Sequence, residues 1–237
     1  MPAYRSAAEA EVRDAVVARL RTARPDARII HEINVSTYGP NRIDLLAVSP
    51  EEIIAVEVKS AKDKLDRLEK QVAAMRGCAH HVIAAVHEKF LVEDRTNEWC
   101  AHYSRDGVFY RGTLPASVPR HRCTPWVFPE RRRAMRDNLG GGYDDLASWV
   151  VPATRFNAAL PSAAIDLLWR DELAVLCGSL GIASGRRSTM ADMTASLRWH
   201  CTGRELTRGI CAALRRRECV EADPAVTPAL NIVPERT

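Results

Sequence analysis

The sequence predicts an α/β fold, with a mixed central β-sheet flanked by helices and followed by a C-terminal helical region. Three observations lead to it. The first ninety residues show a helical pattern, three strand-like runs, a second helical pattern and a fourth strand-like run, at 6–22, 27–35, 42–49, 52–60, 63–77 and 80–88. A helix between the last two runs permits a parallel crossover, whereas the two runs before it are close enough for a hairpin. Helical periodicity then returns after residue 162.

The first helix is indicated by apolar residues four apart. Val12, Val16 and Leu20 recur at i, i+4 and i+8, which places them on one face. Ser6 has the side chain of an N-cap, and Pro25 ends the segment. We therefore expect an amphipathic helix that packs on the sheet.

The strand-like runs are rich in β-branched residues. The runs at 42–49 and 52–60 are expected to form a hairpin around Ser49, Pro50 and Glu51. The run at 63–77 is predicted to be helical because Leu65, Leu68, Val72 and Met75 share one face, with Gly77 as a stop. These elements form the predicted core.

The rest of the chain is divided by composition. We expect a small hairpin from 99–103 and 107–112, long loops over 113–162, and helices that end near Gly181, Cys201 and the arginine run before Cys219. The predicted organisation is a core at 1–125, a loop-rich connection at 126–161, a helical region at 162–222 and an extended tail at 223–237.

Composition excludes several classes of protein. The 237 residues carry a net charge of +4, with 46% hydrophobic and 27% charged residues, which is typical of a folded globular chain and not of a disordered one. No apolar run is long enough for a transmembrane helix, and no secretory leader is evident. The seven cysteines are then expected to be reduced thiols in the cytoplasm. The sequence motifs of P-loop NTPases, Rossmann enzymes and serine hydrolases do not occur.

Charged residues inside two apolar strands indicate the chemistry. Glu57 and Lys59 share one face of the strand at 52–60, and Asp44 lies within the strand at 42–49. Burying such groups costs free energy unless they are paired or used. A hairpin would bring Asp44 and Glu57 together, and two neighbouring carboxylates suit a hard divalent cation such as Mg²⁺. Lys59 beside that cation could orient a water or stabilise charge on a phosphate. The alternative is an exposed hairpin with a surface Glu57–Lys59 pair.

This pattern resembles the PD-(D/E)XK nuclease superfamily over roughly residues 6–90, in particular its RecB-like and Holliday-resolvase-like branches. Asp44, twelve further residues and then Glu57, Val58 and Lys59 are similar to its D…ExK core. The resemblance implies that Asp44, Glu57 and the Val58 carbonyl bind Mg²⁺, with Mn²⁺ as a substitute, and that Lys59 is catalytic.

Two more residues match the superfamily by position. Its helix glutamate, often a further metal ligand, corresponds to Glu9, and its crossover-helix glutamine corresponds to Gln71. The alternatives are a capping residue on a solvated helix face for Glu9 and a surface glutamine for Gln71. Met75 departs from the pattern, because an aromatic residue often follows the glutamine.

The implied function is Mg²⁺-dependent hydrolysis of DNA by an endonuclease or exonuclease, in repair or restriction. Two alternatives stay open: an inactive nuclease-fold protein that binds DNA, and a regulatory protein that binds other proteins. A homodimer would suit cleavage of both strands.

The segment 171–197 resembles a SAP-type helix–extension–helix DNA-binding module. Arg186 and Arg187 would then contact phosphates, together with Arg42 at the start of the Asp44 strand. The alternative is a helical bundle that packs on the core or forms an oligomer.

A structural Zn²⁺ site at Cys100, His102, His121 and Cys123 is disfavoured, because Cys-x-His is an uncommon ligand spacing. The alternative is that these cysteines fill small buried pockets.

Overall fold

The computed structural model describes residues 6–34, 42–130, 149–154 and 158–226. The predicted α/β class is confirmed: a mixed five-stranded sheet and a second, three-stranded sheet are accompanied by helices, including the C-terminal ones. The helices are α1 Ala7–Ala23, α2 Leu68–Arg76, α3 Arg170–Ser179, α4 Met190–His200 and α5 Gly203–Arg216. The strands are β1 Arg28–Asn34, β2 Arg42–Val48, β3 Ile53–Lys59, β4 His81–His87, β5 Val92–Thr96, β6 Tyr103–Arg105, β7 Val108–Thr113 and β8 Thr124–Phe128.

The main sheet has the strand order β1-β2-β3-β4-β8. β1, β2 and β3 are antiparallel neighbours, as the predicted hairpin requires, whereas β4 pairs parallel with β3 and β8 pairs parallel with β4. The crossover through α2 makes the parallel pairing of β3 and β4 possible. The smaller sheet has the order β5-β7-β6 and is antiparallel throughout.

Each face of the main sheet carries its own apolar core. On one face α1 contributes Val12, Val16 and Leu20, which pack against alternate residues of β2, β3 and β4. On the other face α2 and the C-terminal helices pack against the remaining alternate residues, and they belong to one continuous cluster. The described part of the C-terminal region therefore shares a hydrophobic core with the sheet.

Several predicted element boundaries are wrong. α2 begins at Leu68 and not at residue 63, because Asp63 Oδ2 accepts hydrogen bonds from the Ser60 backbone N–H at 2.8 Å and from its hydroxyl at 2.6 Å, which closes a turn first. The predicted helix from residue 162 is instead a 3₁₀ turn, Ser162–Leu167, followed by α3.

Two strands were not predicted. β5 lies before the small hairpin, and β8 lies within residues expected to be loop and across the expected boundary at 125/126. The described beginning of the expected tail is attached to β1, since Asp223 N–H donates to the Ile29 carbonyl at 2.9 Å. Residues 131–148 and 155–157 of the predicted connection, and 227–237 of the tail, lie outside the described residues.

Among the described residues, no helix has the length and apolar character that crossing a membrane requires. All seven cysteines are free thiols.

Candidate active site

A chain of three polar side chains, two of them buried, joins β3 to α2. Glu57 is 1% exposed and Lys59 is 6% exposed, so they are not the surface pair of the alternative interpretation. The Lys59 ammonium donates hydrogen bonds to Glu57 Oε1 at 2.7 Å and to Gln71 Oε1 at 2.9 Å. The period-two alternation of β3 puts Glu57 and Lys59 on the face where α2 packs. Gln71 therefore holds the lysine from the second element, and its role in orienting an active site stays a prediction.

The Glu57 carboxyl group is buried and is only partly engaged by its neighbours. Its Oε2 atom is buried and has no hydrogen-bond partner among the described residues. Burial, first of all, and the negative charge of Asp44 raise the pKa of Glu57 to about 8, against the opposing effect of Lys59. A buried carboxylate with one unused oxygen is the kind of group that a bound cation stabilises.

Asp44 lies where β2 and β3 separate. The antiparallel ladder between the two strands runs from the Val48–Ile53 pair to the Leu45–Val56 pair. One residue further, Asp44 Oδ2 accepts a 2.8 Å hydrogen bond from the Val58 backbone N–H. Burial raises the pKa of Asp44, although this hydrogen bond and the nearby Arg13 act in the opposite direction. Asp44 therefore lies on the strand beside Glu57, and its negative charge acts on the Glu57 carboxyl group.

A backbone irregularity in β1 accompanies the position of Asp44. Glu32 has a φ of 54°, a left-handed conformation that is costly for a residue with a side chain. Ile30 and Ile33, three residues apart, both pack into the core beneath α2, whereas regular alternation would put them on opposite faces. Ile33 pairs with Ile43, which makes Glu32 the residue opposite Asp44. The regular alternation of β1 side chains between the two faces of the sheet is therefore interrupted at Glu32, opposite Asp44.

Arg13 of α1 contacts three carboxylates on this side of the site. The residue is 1% exposed, and its Nη2 atom lies 2.7 Å from Glu9 Oε1 and 3.4 Å from Asp44 Oδ1 and forms a closer ion pair with Glu32. Its Nη1 also donates to the Asp44 backbone carbonyl at 3.3 Å. Burial lowers the pKa of Arg13, but the carboxylates around it, Asp44 foremost, raise it overall. Arg13 is thus a fixed cation beside Asp44.

Glu9 occupies a partly buried position and contacts Arg13. Its side chain is 14% exposed, and its backbone N–H donates to the Ser6 hydroxyl, which caps α1. It is therefore not on a fully solvated helix face, and the structure links it to Asp44 through the guanidinium. Its role as a metal ligand stays a prediction.

The predicted phosphate contacts are spread over the molecule. Arg42 is 43% exposed, and its Nε lies 2.5 Å from Glu32 Oε2, at the edge of the carboxylate cluster. Arg186 and Arg187 are exposed in the turn between α3 and α4, where Arg170 donates to the Arg186 carbonyl at 3.1 Å. Of the three, only Arg42 is linked by a described contact to the residues around Asp44.

The four residues considered for zinc have other surroundings. His102 Nδ1 accepts a hydrogen bond from the Gly112 N–H at 3.0 Å, and the buried Cys123 thiol donates to the Pro119 carbonyl at 3.4 Å. Cys100 ends a 3₁₀ turn, and His121 is an exposed loop residue. Within the described ranges, no group of three or more His, Cys, Asp or Glu side chains is arranged to hold a metal ion.

The described carboxylates therefore offer a divalent cation a pair of ligands and not a set of three. The unused Oε2 of Glu57 and the neighbouring Asp44 carboxylate fit such an ion chemically, because carboxylate oxygens are the donors that a hard divalent cation prefers. The Val58 carbonyl, between Glu57 and Lys59 in the chain, is a further oxygen donor of the kind that Mg²⁺ accepts. One Asp44 oxygen is hydrogen-bonded to Val58, and the other lies 3.4 Å from Arg13.

Sequence reasoning missed Arg13 and Glu32. The available signal for Arg13 was its place directly beside Val12 and one turn from Glu9, which puts a guanidinium at the border of the buried face. Glu32 interrupts the apolar run from Ile29 to Ile33, as Asp44 interrupts β2. The signal in the sequence was therefore one acidic residue inside each of three neighbouring apolar strands: Glu32 in β1, Asp44 in β2 and Glu57 in β3.

Comparison with known proteins gives one similarity. Residues 3–97 match the model of a family described as bacteriophage P4 protein cII. The match covers less than half of the chain, but it includes α1, the strands β1 to β4, and every residue of the Asp44–Glu57–Lys59–Gln71 group. No curated protein and no solved structure matches the chain. The amino-terminal part of the chain is therefore similar to this phage protein family.

Proposed function

We propose that the protein is a metal-dependent deoxyribonuclease whose active site is the group of Asp44, Glu57, Lys59 and Gln71. The observation that carries this proposal is the Glu57–Lys59–Gln71 chain beside Asp44, at the point where β2 and β3 separate. Burying Glu57 and Lys59 in an apolar sheet, beside the partly buried Asp44, is costly for folding alone. Such a cost is typical of functional sites.

The residues have distinct roles in the proposed reaction. Asp44 and Glu57, with the Val58 carbonyl, would hold Mg²⁺, which lowers the pKa of a bound water and neutralises phosphate charge. Among the described residues, Glu57 and Gln71 accept two of the three N–H donors of the Lys59 ammonium. The third N–H can then meet a phosphate oxygen or orient the attacking water, and its positive charge stabilises the negative charge that grows on the phosphate.

Gln71 and Arg13 position the groups that react. Gln71 fixes Lys59 from α2, so that the ammonium does not have to be ordered when substrate binds. Arg13 balances the charge of Glu9, Glu32 and Asp44, which lets several carboxylates stay close together. A preorganised, water-poor arrangement of this kind makes electrostatic stabilisation effective.

A cleavage assay with several substrates and metals tests the proposal. Supercoiled plasmid, linear duplex, single-stranded and branched DNA are incubated with the full chain in Mg²⁺, Mn²⁺ or EDTA. Cleavage of at least one substrate in Mg²⁺ or Mn²⁺, and none in EDTA, is the expected result. Cleavage that persists unchanged in EDTA, or the absence of cleavage with every substrate, would contradict the proposal.

A second candidate is a DNA-binding protein that keeps the nuclease core without cutting. The contacts of Asp44 favour it, because Val58 and Arg13 already engage its two carboxylate oxygens. This candidate predicts salt-dependent DNA binding that Mg²⁺ does not convert into cleavage.

A further inference from the structure

The three-stranded sheet of β5, β7 and β6 has no core of its own. None of the residues in its strands is buried, and those of β6 are all exposed. A small sheet without a buried face gains little stability from hydrophobic packing, so the aromatic side chains on its surface suggest a role in binding.

One face of this sheet, here called the tyrosine face, consists of Glu93, Arg95, Tyr103, Arg105 and Tyr110. Tyr103 and Tyr110 are cross-strand partners whose rings are stacked, with centroids 5.6 Å apart and planes 19° apart. The Arg105 guanidinium lies 5.9 Å from the Tyr103 ring centroid and 5.1 Å from that of Tyr110. Arg95 pairs with Tyr110 on the other side of the central strand. The face therefore presents two stacked aromatic rings with the Arg105 guanidinium beside them and a second arginine, Arg95, on the neighbouring strand.

The tyrosine face belongs to a sheet that begins beside the candidate active site. β3 and β4 are parallel, with Lys59 paired with Val86, so both strands end at the same edge of the main sheet. The chain passes from that edge into β5 through a short 3₁₀ turn. The Lys89 ammonium in this turn donates to the Asp63 carbonyl at 3.0 Å and to the Ala61 carbonyl. The connection to the small sheet is thus fastened to the loop that follows Lys59.

We propose that the tyrosine face binds unpaired nucleotides of DNA next to the cleavage site. This inference rests on the proposed function and adds the form of the substrate, DNA with a single-stranded stretch. Bases stack on exposed aromatic rings with little dependence on sequence, and guanidinium groups add cation–π contacts and attract phosphates. Two arginines face one glutamate, Glu93, which binds Arg105 at 2.9 and 3.0 Å. The mixture of rings and net positive charge suits a nucleotide strand better than an aliphatic protein surface.

Fluorescence anisotropy of labelled oligonucleotides tests this assignment in the full chain. Binding to a twenty-nucleotide oligothymidine is measured in EDTA, so that cleavage does not interfere. The variant Tyr103→Leu is expected to weaken binding about tenfold, because a single base–aromatic stack contributes on the order of that factor. The variant Tyr103→Phe keeps the ring and is expected to bind as the wild type does.

Arg105 and Arg111 provide a matched pair of charge variants. Arg105 is on the tyrosine face, whereas Arg111 neighbours Tyr110 along β7, and successive residues of a strand point to opposite faces. We expect Arg105→Ala to weaken oligothymidine binding severalfold and Arg111→Ala to change it less than twofold. Equal effects of the two variants, unchanged binding by Tyr103→Leu, or binding of oligouridine alone would overturn the proposal.

The assay separates this inference from the nuclease assignment. If the protein cleaves DNA in a metal-dependent way but Tyr103→Leu binds oligothymidine as the wild type does, the proposed role of the tyrosine face is wrong and the proposed active site stands. If oligothymidine binding depends on Tyr103 but no DNA is cleaved, the role of the tyrosine face is supported and the nuclease proposal is wrong. Failure of the wild type to bind oligothymidine would overturn the role of the face.

Discussion

The Val58 backbone N–H donates its hydrogen bond to the side chain of Asp44, at 2.8 Å, where β2 and β3 separate. A carboxylate oxygen thus accepts a bond that a neighbouring backbone carbonyl would accept in a regular sheet. Asp44 consequently has a structural role in addition to the catalytic role that we propose. A substitution can separate the two roles, because the hydrogen bond from Val58 requires only an acceptor oxygen, whereas metal binding requires a negative charge.

The first prediction uses this separation. Asp44→Asn keeps a side-chain oxygen for the Val58 N–H, so the free energy of unfolding should stay within about 1 kcal/mol of the wild type. Cleavage should fall by at least a hundredfold, because a neutral amide is a poor replacement for a metal-binding carboxylate. Urea denaturation and plasmid cleavage measure the two effects. Asp44→Ala should lose both, with the buried N–H costing about 1–3 kcal/mol. Full cleavage by Asp44→Asn would contradict the role given to this residue.

The second prediction concerns Arg13. Arg13→Met removes the buried cation that Glu9, Glu32 and Asp44 share, and the loss of charge compensation for these partly buried carboxylates is expected to lower the free energy of unfolding by about 3 kcal/mol. Urea denaturation measures the change. Arg21→Met, on the same helix, is the matched control because Arg21 is 56% exposed in its 2.6 Å pair with Asp223. That variant should cost less than about 1 kcal/mol. Equal losses would mean that the Arg13 cluster is not held as described.

The third prediction is a dependence of stability on pH through Glu52. Burial alone would raise its pKa, but the contacts of His81 and Arg24 lower it from 4.5 to about 2. A carboxyl group whose pKa is lower in the folded state stabilises the fold above the unfolded pKa, and this contribution is lost as the pH falls through the folded value. The contribution should be full above about pH 5, on the order of 3 kcal/mol, and nearly absent near pH 2.

Denaturation of Glu52→Gln as a function of pH measures this contribution as the difference from the wild type. The difference should shrink steadily between pH 5 and pH 2. Glu51→Gln is the control, since Glu51 pairs with Arg208 at the surface and should show a small difference throughout. A difference for Glu52→Gln that does not change with pH would show that its charge is not what matters.

The fourth prediction tests how α5 packs. A Cβ atom added at Gly203 would lie 2.6 Å from the Cβ of Ala159, a contact that no side-chain rotation can relieve. Gly203→Ala should therefore lower the free energy of unfolding by about 1–3 kcal/mol. At Gly178 in α3 an added Cβ meets no atom within 4 Å, so Gly178→Ala should raise it by up to about 1 kcal/mol. Thermal denaturation of the pair gives opposite signs if the packing is as described, and the same sign if it is not.

The sequence predicts an element of the fold well when that element's own residues carry the pattern, and poorly when the element depends on its neighbours. α1 and the strands β1 to β4 have apolar periodicities that need no knowledge of their neighbours. β8 has none: it contains Pro125, which lacks a backbone N–H and argues against a strand. The structure tolerates this proline because β8 is the edge strand, so only one side of it pairs, with β4. That position could not be read from residues 124–128 alone.

The same distinction applies to the site. Asp44, Glu57 and Lys59 could be predicted because each is a charge inside an apolar strand, and Gln71 because of the resemblance to a nuclease superfamily. Glu32 adopts a left-handed conformation that its residue type disfavours, so local preference gives the opposite prediction. The position of Arg13 between three carboxylates depends on how α1 sits across the sheet. Both features arise from tertiary packing.

The most direct test of the account is plasmid cleavage in Mg²⁺ by Lys59→Ala beside Lys64→Ala. Lys59 is buried in the proposed site, whereas Lys64 is exposed five residues further along the chain. The account predicts that Lys59→Ala loses cleavage by at least a hundredfold, with its circular dichroism spectrum unchanged, and that Lys64→Ala cleaves as the wild type does. A folded Lys59→Ala protein that cleaves as fast as Lys64→Ala would contradict the proposed active site.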